Sequence, residues 1–207
     1  MPAHNRSPIN AVVFDLGNVL VGWNPYLPLA NRMSEAEWQE FARASDFAAL
    51  NAMADRGVSL RRVIRLAAAR NPLHGELIAL YYERFIHSLT GPIIGSAEIV
   101  AELREAGLRL LGLTNWSAET YHLAPESTPA ISMLEAVMVS GREGVAKPDP
   151  EIFLRMVETH HLVVEKTVFV DDSEHNVEAA AALGFIAIRF SGAAQLRKDL
   201  QQLDALR

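Results

Sequence analysis

From about residue 93 to the C-terminus, short apolar runs alternate with helical patterns, and this alternation constrains the fold more than any other feature. The runs are "LRLLGLT", "EAVMVS", "TVFVDD" and "FIAIRF". A helical stretch carrying Ile99, Val100 and Leu103 precedes the first and ends at Gly107, a glycine suited to a helix C-terminus. Another opens at "DPEIF", where Asp149 suits an N-cap and Pro150 the first helical position. A third runs through "EAAAAL" to Gly184, and an amphipathic helix closes the chain. Residues 9 to 15, with Ile9, Val12, Val13 and Phe14, supply an earlier buried strand. Strands separated by helices form βαβ crossovers, so the pattern predicts an α/β fold: a Rossmann-like three-layer core around a mainly parallel sheet.

Between about residues 25 and 88 the strands disappear. "SEAEWQEF" places Ser34 three residues before Glu37, a capping box that starts a helix. "SLRRVIRLAAAR" puts Leu60, Val63, Ile64 and Ala67 on one helical face and stops at Asn71-Pro72. "GELIALYYERFIHSL" gives a third helical pattern. The block reads as a helical insertion after the first strand. It divides the chain into a core of residues 1–22 and 89–207 and an inserted unit of residues 23–88.

In open parallel sheets the ligand site lies beyond the carboxyl ends of the strands. Three runs here end on residues a site can use: Asp15, Thr114-Asn115 and Asp171-Asp172. Lys147 sits in the Gly/Pro-flanked loop "GVAKPDPEIF" between the last two. Each has an ordinary alternative. "FDLGN" serves equally as a turn, Ser117 in "TNWS" as a helix N-cap, and Lys147 as surface charge. Adjacent carboxylates after an apolar strand are harder to explain unless something positive sits beside them. A carboxylate, a hydroxyl, a lysine and an acidic pair together suit a phosphoryl group and a hard divalent cation.

Taken in order, "VVFDLGNVL", "LLGLTN", "GVAKPDPEIF" and "TVFVDDSEHN" resemble the four signatures of the haloacid dehalogenase (HAD)-like hydrolase superfamily, over essentially the whole chain. The first is similar to that of sugar-phosphate phosphatases with a DLGN motif, and the helical insertion to the family's C1-type cap. The resemblance implies a Mg2+-dependent phosphatase in which Asp15 attacks phosphorus to give an aspartyl-phosphate. It implies metal binding by Asp15, the Gly17 backbone carbonyl and Asp172, with Asp171 and Asn176 supporting them. Thr114 and the Asn115 backbone would hold phosphate oxygens, and Lys147 would neutralise charge in the transition state.

One position departs from the pattern. Most family phosphatases carry an aspartate two residues after the nucleophile as general acid, and here that residue is Gly17. General acid–base help is worth roughly 10²–10⁴ in rate. Two alternatives follow: a metal-independent 2-haloacid dehalogenase, which also lacks that aspartate, and a HAD-fold binding module with little turnover. Asp171-Asp172 argues against the first, because dehalogenases of the family typically place small polar residues there.

Arg56 in "ADRG" is a candidate for meeting an anionic substrate or a solvated helix-end residue. Trp23 and Trp116 are candidate walls of the site or parts of the core. The net charge of −6 offers no field for nucleic acid or an anionic membrane, so the expected partner is a small molecule, a phosphate monoester. The chain lacks cysteine, has no apolar run long enough to span a bilayer, and opens without a signal-peptide core. The expectation is a cytoplasmic monomer or homodimer.

Overall fold

A computed structural model describes residues 9–206. Most of the opening segment, on which the reading of no signal peptide rests, lies outside the described residues, as does Arg207. Five parallel strands form the central sheet: β1 (Ala11–Phe14), β4 (Arg109–Thr114), β5 (Ala136–Val139), β6 (Thr167–Asp171) and β7 (Ile186–Arg189), in the order β5-β4-β1-β6-β7. A separate antiparallel ribbon pairs β2 (Val21–Trp23) with β3 (Leu89–Pro92).

The helical segments of the block lie between the two strands of that ribbon. They are α1 (Glu35–Ser45), α2 (Phe47–Asp55), α3 (Leu60–Arg70) and α4 (Pro72–Glu83). The Ser34 capping box is present: the Glu37 carboxylate accepts from the Ser34 N–H at 2.7 Å, and the Ser34 hydroxyl accepts from the Glu37 N–H at 3.4 Å. Replacing Ser34 by Ala should lower unfolding stability by about 1 kcal/mol in urea titrations, the usual cost of a lost N-cap. No change in the denaturant slope is expected.

The sequence reading misplaces three features. The third helix begins at Pro72, with Asn71 as its N-cap, and ends at Glu83; Phe85–Ser88 is a 3-10 turn. α2 was not expected. It is set off from α1 by Asp46 in the left-handed conformation (φ 57°), so no glycine or proline marks the break. Ser117 caps no helix. Its hydroxyl accepts from the Glu119 N–H at 3.3 Å in a turn, and the next element is a 3-10 turn at Tyr121–Leu123.

The remaining helices are α5 (Ser96–Glu105), α6 (Ala124–Ser127), α7 (Pro129–Ser132), α8 (Ser140–Glu143), α9 (Pro150–His160), α10 (Glu174–Ala182) and α11 (Ala193–Gln202). Period-two alternation divides β1 between two cores. Val12 and Phe14 pack on the side of α5, α11 and the helical block. Ala11 and Val13 pack against Ile152, Phe153 and Met156 of α9 and Ala180 of α10. The sheet is therefore covered on both faces, and its polar ends are left for chemistry. No described helix is long and apolar enough to cross a membrane.

Candidate active site

The sheet register assembles the site. Phe14 of β1 pairs with Gly112 of β4 on one side and Val170 of β6 on the other. One step further along, Asp15 and Asp171 lie side by side, and the Asp15 N–H donates to the Val170 carbonyl at 2.8 Å. Thr114 ends β4 on the same edge. β1 is the middle strand, so Asp15 lies between the carboxyl ends of β4 and β6.

Lys147 reaches this edge from the loop before α9 and is fully buried. Its ammonium contacts Asp15 Oδ1 at 3.0 Å, Asp171 Oδ2 at 2.7 Å and the Leu113 carbonyl at 2.7 Å. Three acceptors match its three hydrogens. Burial works against the charged lysine, yet Asp15 and Asp171 outweigh it and hold its pKa above the ordinary range. The Asn115 side chain fixes the loop by accepting from the Lys147 N–H and donating to the Lys147 carbonyl, both at 2.8 Å.

Asp171 is saturated. Its Oδ1 accepts from the Ser173 N–H and the Asn176 amide, and its Oδ2 from Lys147 and the same amide. Asn176 therefore orients Asp171. Asp15 takes both its hydrogen bonds on Oδ1, from the Leu16 N–H at 2.7 Å and from Lys147, which leaves Oδ2 for a substrate. Burial pushes the Asp15 carboxyl up to about 7, with Lys147 opposing the shift and Asp171 adding to it. Burial and the neighbouring Asp171 also raise Asp172.

Candidate ligand oxygens of Asp15, Asp171 and Asp172 lie within 4.8 Å of one another. Three carboxylates face one ammonium whose hydrogens are all engaged. Among the described residues Asp172 contacts no cation; its partner is the Asn18 amide at 3.4 Å. A hard divalent cation fits this donor set, since the oxygens are of the right kind and two negative charges stand uncompensated.

A cavity of about 210 Å³ opens over Asp15. Gly17, Thr114, Asn115 and Asp172 line it from the sheet side, and Asn51 and Asp55 of α2 from the helical block. Trp23 and Trp116 both line it. Trp116 is also buried, packing on Phe85 at 5.8 Å between ring centroids, so it is wall and core at once. Arg56 is exposed and does not line the cavity.

Asn18 and Asp55 are among the lining residues that the sequence reading did not mark. Asn18 holds a left-handed conformation (φ 55°). It donates to Asp172 and accepts from the Trp23 N–H at 3.1 Å, joining the acidic pair to the ribbon. An asparagine beside a glycine was its available signal. Asp55 stood in "ADRG", where its basic neighbour drew attention instead.

This parallel sheet carries a strand-end aspartate, a buried lysine and an acidic pair on one edge, the arrangement of an α/β hydrolase. The haloacid dehalogenase-like hydrolase family matches residues 9–184, and the chain belongs to it. It is similar to a sesquiterpene phosphatase of Aspergillus oryzae, 24% identical over 93% of this chain and 95% of that protein. A HAD-family enzyme of Bacteroides thetaiotaomicron, solved with magnesium and inorganic phosphate, superposes with a TM-score of 0.71 at 20% identity, covering 89% of this chain and 95% of that one. The L-2-haloacid dehalogenase of Xanthobacter autotrophicus superposes at 0.65 and 19% identity, over 94% of this chain and 83% of that one. These structures share the fold.

Proposed function

We propose that this hydrolase is a Mg2+-dependent phosphatase of a small phosphorylated metabolite, acting through a phosphorylated Asp15. The observation that carries the reading is the excess of negative charge at the sheet edge. A dehalogenase of a neutral carbon–halogen bond has no use for Asp172, whereas a phosphatase uses it to hold the cation that accompanies the phosphate. Asp15, the Gly17 carbonyl and Asp172 would hold that cation, which supplies positive charge to the phosphate oxygens. The phosphatase similarity and the magnesium and phosphate bound by a structural neighbour point the same way.

Asp15 Oδ2 attacks phosphorus, and the bond to the leaving oxygen breaks on the far side. Lys147 keeps Asp15 Oδ1 in place and faces the charge that develops there. The Thr114 hydroxyl and the Asn115 backbone N–H bind phosphate oxygens. Asp171 and Asn176 act through Lys147 and keep it against Asp15. Residues 23–88 form the cap, which closes the site against water and selects the leaving group. Asp15, Asp55 and Asp172 are the charged residues lining the cavity. Among the described residues no cation lines this cavity, so the part of the leaving group it holds is neutral.

Turnover of a phosphate-monoester panel should fall to background with EDTA and return with Mg2+. Haloacid turnover that survives EDTA would overturn the phosphatase reading in favour of a dehalogenase. No hydrolysis of either class, unchanged by Asp15→Asn, would show a binding module.

A further inference from the structure

The chain holds a glycine where a proton donor is usual, and the cavity over Asp15 contains one carboxyl that the reaction above leaves idle. Asp55 is the last residue of α2 and is partly buried. It lines the cavity over Asp15 and also a wider opening beyond it, lined further by Trp38, Arg43 and Phe47. It therefore stands on the wall that the helical block turns toward the nucleophile, within its electrostatic reach and at the border of the two openings. The Asn51 amide donates to Asp55 Oδ2 at 3.0 Å, and the Tyr82 hydroxyl donates to Asn51 Oδ1 at 3.3 Å, so its orientation is fixed from two helices. We propose that Asp55 is the general acid–base of this hydrolase, donated from the helical block in place of the missing aspartate at Gly17. The inference rests on the phosphatase reading.

In the first step Asp15 Oδ2 forms a bond to phosphorus, the phosphorus–oxygen bond to the leaving group breaks, and its oxygen takes the Asp55 proton. An alcohol departs, leaving aspartyl-phosphate and an Asp55 carboxylate. In the second step water attacks phosphorus while Asp55 removes its proton. The bond to Asp15 breaks, phosphate leaves, and Asp55 is protonated again. Burial pushes the Asp55 carboxyl up to about 7, with Asp15 adding to the shift and Arg56, Lys147 and the Ser117 N–H opposing it. Tyr81 and Tyr82 of α4 also face it and are raised by burial, so they stay neutral. An acid at this value is available in both protonation states near neutrality, as the two steps require.

Gly17 provides an independent check. A Cβ there meets nothing within 4 Å and its φ is not positive, so an aspartate side chain has room in the cavity. The experiment compares wild type, Asp55→Asn and Asp55→Asn/Gly17→Asp on an alkyl phosphate and on p-nitrophenyl phosphate, with Mg2+ present. Wild-type turnover and a phosphorylated Asp15 establish the phosphatase reading by themselves; their absence overturns that reading rather than the role of Asp55. Asp55→Asn should lose roughly 10²–10⁴-fold with the alkyl substrate. With the aryl substrate, whose leaving group needs no proton, it should give a burst of one nitrophenolate per site followed by slow release. The basic limb of the wild-type kcat/KM profile near pH 7 should vanish in Asp55→Asn, and Gly17→Asp should restore part of the alkyl activity. Equal losses on both substrates without a burst, with the pH limb retained and no rescue, would show that Asp55 only shapes the cavity. Because burial opposes ionisation of Asp55, Asp55→Asn should raise the melting temperature more at pH 8 than at pH 5, which confirms that the variant folds.

Discussion

Asp15→Asn should remove turnover by at least about 10⁴-fold while leaving the fold intact, because it deletes the attacking oxygen and the charge it offers a cation. Asparagine has the same shape, and Lys147 keeps its contacts to Asp171 and the Leu113 carbonyl. Melting should shift by no more than a few degrees. The sharper measurement is mass spectrometry of rapidly quenched protein. Wild type should carry a phosphoryl group on Asp15 during turnover, and the variant none. Residual activity near the wild-type level in a folded Asp15→Asn protein would remove Asp15 from the reaction.

Lys147→Met should do the opposite kind of damage, losing activity and stability together. The ammonium lies between two buried carboxylates, and its removal leaves Asp15 and Asp171 adjacent without a counter-charge. Removing one partner of a buried ionic cluster costs about 3–5 kcal/mol. For a chain of this size that corresponds to a fall in melting temperature of roughly 10 °C. Lys147→Arg should not rescue it, since a guanidinium fork does not fit three contacts arranged around one nitrogen. Thermal melting of the three proteins side by side checks the order: wild type, then Asp15→Asn close to it, then Lys147→Met well below.

The sheet was legible because its strands are short, apolar and separated by glycine or proline at the helix ends, as at Gly107, Asp149-Pro150 and Gly184. The chemical residues at strand ends were legible for the same reason: parallel register turns a strand terminus in sequence into a shared edge in space. Asp15, Thr114, Asp171 and Asp172 follow that rule, while Lys147 reaches the same edge from the loop before α9. The ribbon did not, since β2 and β3 are too short, and too rich in glycine and proline, to show any periodicity. α2 was hidden because α1 ends on an aspartate in a left-handed conformation rather than on a glycine. Asp55 was illegible for a deeper reason. Its place over Asp15 depends on how α2 packs across the sheet edge, and nothing near it in the sequence records that.

The pairing of β2 with β3 bears on how such a chain can change over evolutionary time. The helical block leaves and rejoins the sheet domain through two strands that are hydrogen-bonded neighbours, so its ends meet. An insertion whose ends meet can be lengthened, shortened or exchanged for another without rethreading a single strand of the sheet. Gly22, where a Cβ would strike Thr90 Oγ1 at 2.1 Å, marks the tightest point of that seam. Grafting should succeed when the cut falls outside this ribbon and the ribbon travels with the graft. One graft then carries both the selectivity of the cavity and, with Asp55, its proton, while the strand-end residues stay where they are.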